Sequence, residues 1–342
     1  ELKNFAEGTV VMVMASHHFD AEDYISDYEE YRGELVELRP YDSARASEWD
    51  AFVDRAKNGT FLYKRGYMDY HADRFTDCSL MFYFKEKLYA LLPANTEGST
   101  LYSHQGLTYG GLIMNETCSA ANVLNLFFEM NSWLKEQGFQ KVLYKPIPSI
   151  YSTLPSEEDL YALFRCQAIL KACGISTSID YSQLSKWHKD RHTALNRSKR
   201  NHVTVRQTQH IHAFWQILTS NLQTRHGVLP VHTQQEMELL MQRFPENIVL
   251  YEAIDTNEEC IAGMLAYRSK NVLHSQYLAA SLQGKKCGAI EAIMEAILQE
   301  KGYRYFDFGI STEEGGRYLN EGLIYQKEGF GGRGICYNIY EY

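Results

Sequence analysis

The alternation of apolar and polar positions divides the chain into two halves with the same order of elements. In the first half it predicts strands at 80–84 and 88–93, a glycine-bearing loop at 103–112, a helix at 122–137 and a strand at 141–145. In the second half it predicts strands at 248–254, 262–267 and 272–279, a loop at 284–289, a helix at 289–301 and a strand at 305–308. A further helix follows and ends at a glycine.

Matching helix ends indicate that the two halves arose by duplication. The segment LKEQGFQKV, which starts at Leu134, aligns with LQEKGYRYF, which starts at Leu298, and the offset from Gly138 to Gly302 is 164 residues. We therefore expect an α/β (α+β) protein with two tandem domains, each a mixed sheet flanked by helices. The expected boundaries are a tail at 1–35, a first domain at 36–175 and a second domain at 176–342.

Only the second half has a loop suited to phosphates. The segment GKKCGA at 284–289 carries Lys285 and Lys286 at the start of a predicted helix, where free backbone N–H groups and the helix dipole favour an anion. The first half has MNETCSAAN in the same place, with an acid and no glycine. The alternative is a plain surface turn with solvated lysines.

Composition narrows the class of protein. A chain of 342 residues with 45% hydrophobic and 23% charged residues is typical of a soluble protein of about two domains. The net charge of −9 disfavours a general binder of nucleic acid, although the basic run at 186–200 suits either a solvated helix or a phosphate-binding face. Seven scattered cysteines without a C-x-x-C pair predict reduced thiols in the cytoplasm and no metal site.

No membrane segment is predicted, because the longest early apolar run, at 10–15, is too short to cross a bilayer. The chain begins with Glu rather than Met, so we expect a piece of a longer gene product.

The opening residues resemble the C-terminal end of the cupin-type dTDP-sugar 3,4-ketoisomerases. We predict a strand at 10–14 and an acidic helix at 20–31. The matching residues are Val13, Ala15, Ser16, Phe19, Asp20, Asp23, Tyr24, Ile25, Asp27, Tyr28 and Tyr31. The resemblance implies a fused or partner cupin isomerase; the alternative is a strand and helix of no special descent.

The second half is similar to the GNAT acyltransferases in its element order and in its Y-x-K-x-G-F ending, which is Tyr325, Lys327, Gly329 and Phe330. Over about 36–342 the chain resembles the FemAB-like double-GNAT proteins. The segments that carry this resemblance are RHGVLPVHT (225–233), DFGIS (307–311) and GLIYQKEGFGG (322–332). Such folds serve both acyl-CoA transferases and Fem ligases that use aminoacyl-tRNA.

The resemblance implies acetyl-CoA or another acyl-CoA as co-substrate. Its pyrophosphate is expected on Gly284, Lys285, Lys286, Cys287, Gly288 and Ala289. Its pantetheine is expected beside Tyr277, Leu278 and Ala279, with a strand N–H near Leu278 to polarise the thioester. The loop departs from the family pattern, because Gln283 and Gly288 do not have the usual spacing.

The resemblance also implies that Tyr325 protonates the departing thiolate, although Tyr325 also suits simple packing. An amine acceptor must lose a proton, and Glu321 and Asp307 are the candidate bases. Asp307 alternatively only caps its turn. Cys287 has no neighbouring His to activate it as a nucleophile.

Two loops are candidates for contact with the acceptor. Their candidate residues are His104, Tyr109 and Gly110 in the first half and Arg225, His226 and His232 in the second. A lone His is more often structural, so each of these side chains has a purely structural alternative.

The sequence predicts a cytoplasmic N-acyltransferase that moves an acyl group, most simply acetyl, from acyl-CoA to a small amine. The ketoisomerase-like tail points to a dTDP-3-amino-3,6-dideoxyhexose acceptor of surface-polysaccharide biosynthesis, with no DNA and no membrane partner. One alternative is a Fem-like ligase that uses aminoacyl-tRNA on a cell-wall amine. A second alternative is a non-catalytic partner of a sugar-nucleotide enzyme.

Overall fold

The computed structural model describes residues 36–300 and 302–342, and the backbone alone of His226. Its strands are β1 Val36–Pro40, β2 Thr76–Asp77, β3 Leu80–Phe84, β4 Lys87–Leu92, β5 Asn95–Glu97, β6 Thr100–Tyr102, β7 Ile113–Met114, β8 Lys141–Tyr144, β9 Ile169–Asp180, β10 Thr204–Thr208, β11 Ile248–Ile254, β12 Cys260–Arg268, β13 Val272–Ala280, β14 Tyr305–Ile310, β15 Thr312–Glu313, β16 Tyr318–Leu319 and β17 Arg333–Glu341. Its α-helices are α1 Ala46–Arg55, α2 Arg65–Met68, α3 Ala120–Glu136, α4 Glu158–Arg165, α5 Lys189–Arg200, α6 His212–His226, α7 Gln234–Arg243, α8 Leu282–Cys287, α9 Ala289–Leu298 and α10 Glu321–Glu328.

Local sequence explains where the main elements begin and which face they bury. The Ser119 side chain accepts a hydrogen bond from the Asn122 N–H and so caps α3, whose buried residues recur at helical spacing. Thr233 and Glu236 form a capping box at the start of α7. β11 is apolar along most of its length because all seven of its residues are buried.

A mixed sheet runs through both halves of the described chain. Its strand order is β10-β11-β12-β13-β14-β9-β17-β8-β6-β5-β2, and a separate four-stranded sheet has the order β1-β3-β4-β7. The β13–β14 and β6–β8 pairs are parallel, and the other pairs of the large sheet are antiparallel.

The two halves exchange their last strands. β9, which ends the first half, lies between β14 and β17, while β17, which ends the second half, pairs with both β9 and β8. The predicted boundary between residues 175 and 176 lies inside β9. The halves are therefore joined by a shared pair of strands rather than by a linker.

One apolar core includes side chains from both halves. Phe61 of the first half lies 5.3 Å from Tyr267 and 5.4 Å from Phe244 between ring centroids. The Arg74 guanidinium pairs with Glu236 across the same interface. These contacts hold α2 against α7.

The structure confirms the strands predicted from residue 80 onward and the helix predicted at 122–137 to within two residues. The predicted loop at 284–289 is wrong, because residues 282–287 form α8 and Gly288 then turns the chain into α9. The helix predicted at 289–301 ends at Leu298, and residue 301 lies outside the described residues, as do the strand and helix predicted at 10–14 and 20–31. Within the described part of the chain, none of the helices has the length and hydropathy that a bilayer crossing requires.

Candidate functional site

The parallel strands β13 and β14 separate halfway along their length. They pair only from Val272 with Tyr305 to His274 with Asp307, whereas β13 continues to Ala280 with β12 on its other side. The register with β12 shifts at Gln276, which is the mark of a β-bulge. Residues 275–280 therefore present one edge of backbone N–H and C=O groups to a gap in the sheet.

A cavity of about 600 Å³ opens on one side of this gap, and the charged side chains in its lining are mostly basic. We call it the cationic cavity. Its basic residues are Arg191, Arg197, Arg225, Lys285 and Lys327, and its acidic residues are Asp190 and Glu291. Arg191 bonds Glu291 at 2.7 Å and leaves its buried Nε without a hydrogen-bond partner among the described residues. The surplus of positive charge favours an anionic ligand.

A second cavity of about 490 Å³ opens on the other side of the gap, between the two halves. We call it the His274 cavity. Its lining includes Tyr109, His274 and Tyr337 together with residues of the β15–β16 hairpin. Both cavities are lined by Ser275, Gln276 and Phe308, so they meet at the point where β13 and β14 separate.

A buried hydrogen-bond network orients His274. Asp307, with no exposed surface, lies 2.8 Å from His274 Nδ1 and accepts hydrogen bonds from Ser176 Oγ at 2.5 Å and Tyr337 OH at 2.8 Å. Burial by itself raises the pKa of Asp307, but the hydrogen bonds from His274, Ser176 and Tyr337, together with the imidazolium charge when His274 is protonated, outweigh it and hold the pKa below its usual value. A carboxylate at this position keeps the proton on Nδ1, which leaves Nε2 as an acceptor.

Two buried tyrosines complete the network. Tyr151 OH lies 3.1 Å from Tyr337 OH and 3.3 Å from His274 Nδ1. Burial raises the pKa of both phenols well above the usual value, so both remain protonated donors at neutral pH. The imidazole is therefore held on its Nδ1 side, and its other side is directed to the cavity.

Lys327 is a buried cation beside the gap. Its Nζ donates to the carbonyl oxygens of Gly309 at 2.7 Å and Ile310 at 2.9 Å. Burial lowers the pKa of Lys327 to about 8, although the Asp307 charge opposes this shift. The ammonium is therefore charged at neutral pH and lies in the wall of the cationic cavity.

The residues predicted to hold a pyrophosphate do not form a free loop. The Gly284 N–H is capped by Ser281 Oγ at 3.0 Å, and the Lys285 N–H bonds to the Ser281 carbonyl at 3.0 Å. Lys285 lines the cationic cavity, while Lys286 and Cys287 are not in its lining. Ala289 has no exposed surface.

Both glycines of this segment are explained by contacts within the protein. A Cβ on Gly284 would lie 2.2 Å from the Ile261 carbonyl oxygen, and one on Gly288 would lie 2.1 Å from the Ala194 carbonyl oxygen. Gly288 also has a φ of +77°. These glycines let α8 and α9 approach β12 and α5, so they carry no evidence for a phosphate.

The three residues predicted to lie beside pantetheine do not share one surface. Leu278 and Ala279 line the cationic cavity. Tyr277 is directed away from the cationic cavity, where its OH lies 2.7 Å from His232 Nδ1 and its ring packs on Trp215. The predicted roles of these residues at a cofactor remain predictions.

The three predicted catalytic residues lie in different surroundings. Tyr325 is 56% exposed, and its ring contacts His188, outside the lining of both cavities. Glu321 is exposed at the first position of α10. Asp307 alone lies at the gap, behind His274. The geometry favours Asp307 as a positioning group and gives no support to the predicted role of the other two.

The three residues of the first half that were predicted to contact the acceptor also lie in different surroundings. Tyr109 lines the His274 cavity. His104 is buried and stacks on His71 with 5.4 Å between ring centroids. A Cβ on Gly110 would lie 1.8 Å from the Ser103 carbonyl oxygen, which explains that glycine by packing.

Neither of the described side chains predicted in the second half to contact the acceptor lines the His274 cavity. Arg225 lines the cationic cavity rather than the His274 cavity. His232 is buried against Tyr277. The side chain of His226 lies outside the described residues.

Sequence reasoning did not identify His274, Ser275, Tyr151 or Tyr337. His274 is the first residue of the segment HSQY, and it lies opposite Asp307 in the parallel β13–β14 pair. That register places a His beside the Asp already proposed from DFGIS, but it is visible only in the structure.

Family models match two separate segments of the chain. Residues 185–318 match the acetyltransferase (GNAT) domain, and residues 1–35 match FdtA, described as WxcM-like, C-terminal. The second match confirms the likeness predicted for the opening segment. No curated protein matches the sequence.

Solved structures resemble the whole described fold. FemX has a TM-score of 0.64 at 11% identity, over 90% of this chain and 97% of its own. L-PGS from Bacillus licheniformis has a TM-score of 0.57 at 16% identity, over 88% and 91%. A conserved protein of unknown function from Bacteroides thetaiotaomicron has a TM-score of 0.53 at 12% identity, over 90% and 99%. The chain therefore carries a FemAB-like tandem GNAT acyltransferase fold behind a segment similar to FdtA.

Proposed function

We propose that the protein is an N-acyltransferase that passes an acyl group from acyl-CoA to an amine. The observation that carries this proposal is the meeting of two differently lined cavities at the gap between β13 and β14. A polyanionic donor fits the cationic cavity, and an acceptor fits the His274 cavity. The acyl carbon and the amine then meet beside Ser275 and Gln276.

The residues of the cationic cavity fit coenzyme A. The exposed cations Arg197, Arg225 and Lys285 suit phosphate groups, and Arg191 adds its unpartnered Nε. The unpaired edge of β13 at 275–280 suits the amides of pantetheine, which bind as an added strand does. Bound there, acyl-CoA supplies an acyl thioester at the gap.

The side chains at the gap divide the proton transfers between them. His274 Nε2 accepts a proton from the attacking amine, and Asp307 stabilises the imidazolium that forms. Lys327 places a positive charge in the wall of the cationic cavity, where the departing thiolate develops its negative charge. Tyr325 remains the alternative acid if α10 moves when the donor binds.

We propose a dTDP-linked 3-amino-3,6-dideoxyhexose as the acceptor, because the opening segment resembles a sugar-nucleotide ketoisomerase. A 3,4-ketoisomerisation supplies the ketone that amination converts to such an amine. The test mixes the protein, acetyl-CoA and this sugar nucleotide and follows thiol release. Release above the hydrolysis rate is expected, and its absence with all acyl-CoA donors would refute the acyl-CoA proposal.

One observation favours an aminoacyl-tRNA donor instead. The Glu291 carboxylate is buried in the first turn of α9, where a pyrophosphate would otherwise receive the helix N–H groups. A parallel assay with charged tRNA separates the two donors, since transfer from tRNA should be lost at moderate salt. Calorimetry that detects neither coenzyme A nor tRNA would favour a non-catalytic partner.

A further inference from the structure

The two cavities that meet at the gap carry opposite charge. The cationic cavity has five basic and two acidic side chains in its lining. The His274 cavity has two acidic residues in its lining, Glu313 and Glu314. Lys145 is the one lysine among its described lining residues. Lys145 Nζ donates to the Leu107 carbonyl at 2.5 Å, and burial lowers the pKa of Lys145 to about 8. The wall that carries the two glutamates is therefore the negative part of the cavity.

Both glutamates are held in place by the β15–β16 hairpin. The hairpin is tied to β9, because the Ser311 N–H bonds to the Ile175 carbonyl at 2.7 Å and Thr312 Oγ1 accepts from the Ile175 N–H at 3.3 Å. A Cβ on Gly316 would lie 1.8 Å from the Cys173 carbonyl oxygen, so the turn packs directly on that strand. The hairpin is therefore a fixed wall of the cavity.

The carboxylates differ in their existing partners. Glu313 Oε1 accepts a hydrogen bond from Asn320 Nδ2 at 3.2 Å, which leaves its second oxygen available. The Glu314 carboxylate has no ion pair or hydrogen-bond partner among the described residues, and only its backbone carbonyl accepts a hydrogen bond, from the Arg317 N–H. Both carboxylates are exposed to the cavity and its mouth.

Two further residues of the same cavity are about nine-tenths buried, and each has one polar side-chain atom without a partner among the described residues. Ser275 is 7% exposed and His274 is 8% exposed. Among the described residues, neither the Ser275 hydroxyl nor His274 Nε2 has a hydrogen-bond partner, and both residues line the cavity. Neither atom is fully buried, so both face the open cavity and are available to a ligand that carries hydrogen-bonding groups.

We propose that Glu313 and Glu314 select the acceptor by binding its ammonium group, so that the cavity takes a protonated aliphatic amine on a hydroxylated carrier. This proposal rests on the N-acyltransferase function. The ammonium first binds the carboxylates through charge-assisted hydrogen bonds. It then gives one proton to His274 Nε2, and the neutral nitrogen bonds to the acyl carbon. The thioester C–S bond breaks, and the second proton lost by the nitrogen protonates the departing thiolate.

The same arrangement rejects other acceptors. A hydroxyl of the same shape gains no charge-assisted bond from the glutamates, and a phosphate near them is repelled. The diphosphate of a nucleotide-linked acceptor must therefore lie away from the hairpin, toward Lys145 or the mouth of the cavity. Glu313 and Glu314 are thus specificity residues rather than catalytic ones.

The test measures binding without any donor. Calorimetry compares the dTDP-3-amino-3,6-dideoxyhexose with its 3-hydroxy counterpart on the wild type and on Glu313→Gln, Glu314→Gln and the double variant. The wild type should bind the amine about tenfold more tightly than the alcohol. Each substitution should lower this ratio of dissociation constants about three- to tenfold. Glu116→Gln, at an exposed acid in the turn before α3, is the matched control and should keep the preference.

In turnover, the double variant should raise KM for the amine while KM for acetyl-CoA stays unchanged. Equal binding of the two sugars by the wild type, binding of neither, or a preference that survives in the double variant would overturn the proposal. Failure of the N-acyltransferase function has a different result: the amine is preferred in binding, but no thiol is released with any acyl-CoA.

Discussion

At the scale of single residues, the site depends on one imidazole held by a buried carboxylate. Asp307 is fully buried, yet it keeps its charge because three side chains donate to it. That charge fixes the His274 tautomer and stabilises the imidazole once it takes a proton. Asp307 is therefore a positioning residue, and His274 is the group that contacts the reacting amine.

Replacing His274 should remove the base and leave donor binding intact. We expect His274→Gln to lower kcat for thiol release about 10²- to 10⁴-fold, with KM for acetyl-CoA unchanged, because a glutamine can bond Asp307 but cannot take a proton. Steady-state kinetics with the acetyl donor check this expectation. His202→Gln, at an exposed turn, is the matched control. An unchanged kcat in His274→Gln would place the base elsewhere.

Asp307→Asn should also lower kcat, because an amide leaves the imidazole without its charge partner and allows the other tautomer. The fall should be smaller in Ser176→Ala, since that substitution removes one of three donors to the carboxylate. Equal losses in the two variants would show that Asp307 acts through the fold rather than through His274; near-ultraviolet circular dichroism checks that the fold is kept.

The sequence pointed to Asp307 and missed His274 for a physical reason. A DFG turn after a strand is visible locally, so an acid there was proposed as a base. The pairing of His274 with Asp307 depends on the register of two parallel strands that are more than 30 residues apart. Periodicity does not fix that register, and so the charge partner of the acid remained hidden.

At the scale of elements, α8 shows how a glycine pattern misleads. Two glycines and two lysines predicted a phosphate loop, but Ser281 caps a helical turn instead. The requirement for glycine comes from the carbonyl oxygens of Ile261 and Ala194, which lie far away in sequence. The strands around this segment were predictable because their burial is regular, whereas close backbone approach leaves no local pattern.

Packing at Gly284 should make alanine costly there. We expect Gly284→Ala to destabilise the protein by about 1–3 kcal/mol, because its Cβ meets a backbone oxygen that cannot move aside. The matched control is Gly322→Ala in α10, whose Cβ would have its nearest atom at 3.8 Å and which should be neutral or slightly stabilising. Urea unfolding midpoints check both. Equal midpoints would restore the free-loop interpretation of residues 284–289.

At the scale of the whole molecule, the exchange of β9 and β17 makes the two halves one unit. The internal repeat could be predicted from matching helix ends at Gly138 and Gly302. The exchange could not, because the residues of each exchanged strand do not specify which neighbouring strand it pairs with. The predicted boundary at 175/176 followed from treating the repeats as independent, whereas β9 crosses that position.

The interface between the halves should make the protein sensitive to acid. His71 and His232 are buried near it, with Tyr70 stacked on His232 across the interface, and His104 is buried against His71 within the first half. Burial lowers the pKa of His104 to about 3 and of His232 to about 4, and it lowers the pKa of His71 as well. In the unfolded chain each imidazole takes its proton near 6.5. Below that pH the unfolded state binds more protons, so stability falls as the pH falls.

Each such histidine should contribute a slope of about 1.4 kcal/mol per pH unit between about pH 6 and the folded-state pKa. Urea unfolding between pH 7.5 and 4.5 measures the total slope, to which carboxylates also contribute. His104→Gln should lower the slope, while His202→Gln, at an exposed position, should leave it unchanged. If His104→Gln also destabilises the protein at pH 7.5, the slope is still informative. Loss of a packing contact lowers the free energy of unfolding by the same amount at every pH and leaves the slope unchanged. The same slope in both variants would show that the His104 imidazole takes up its proton in the folded state as readily as in the unfolded chain.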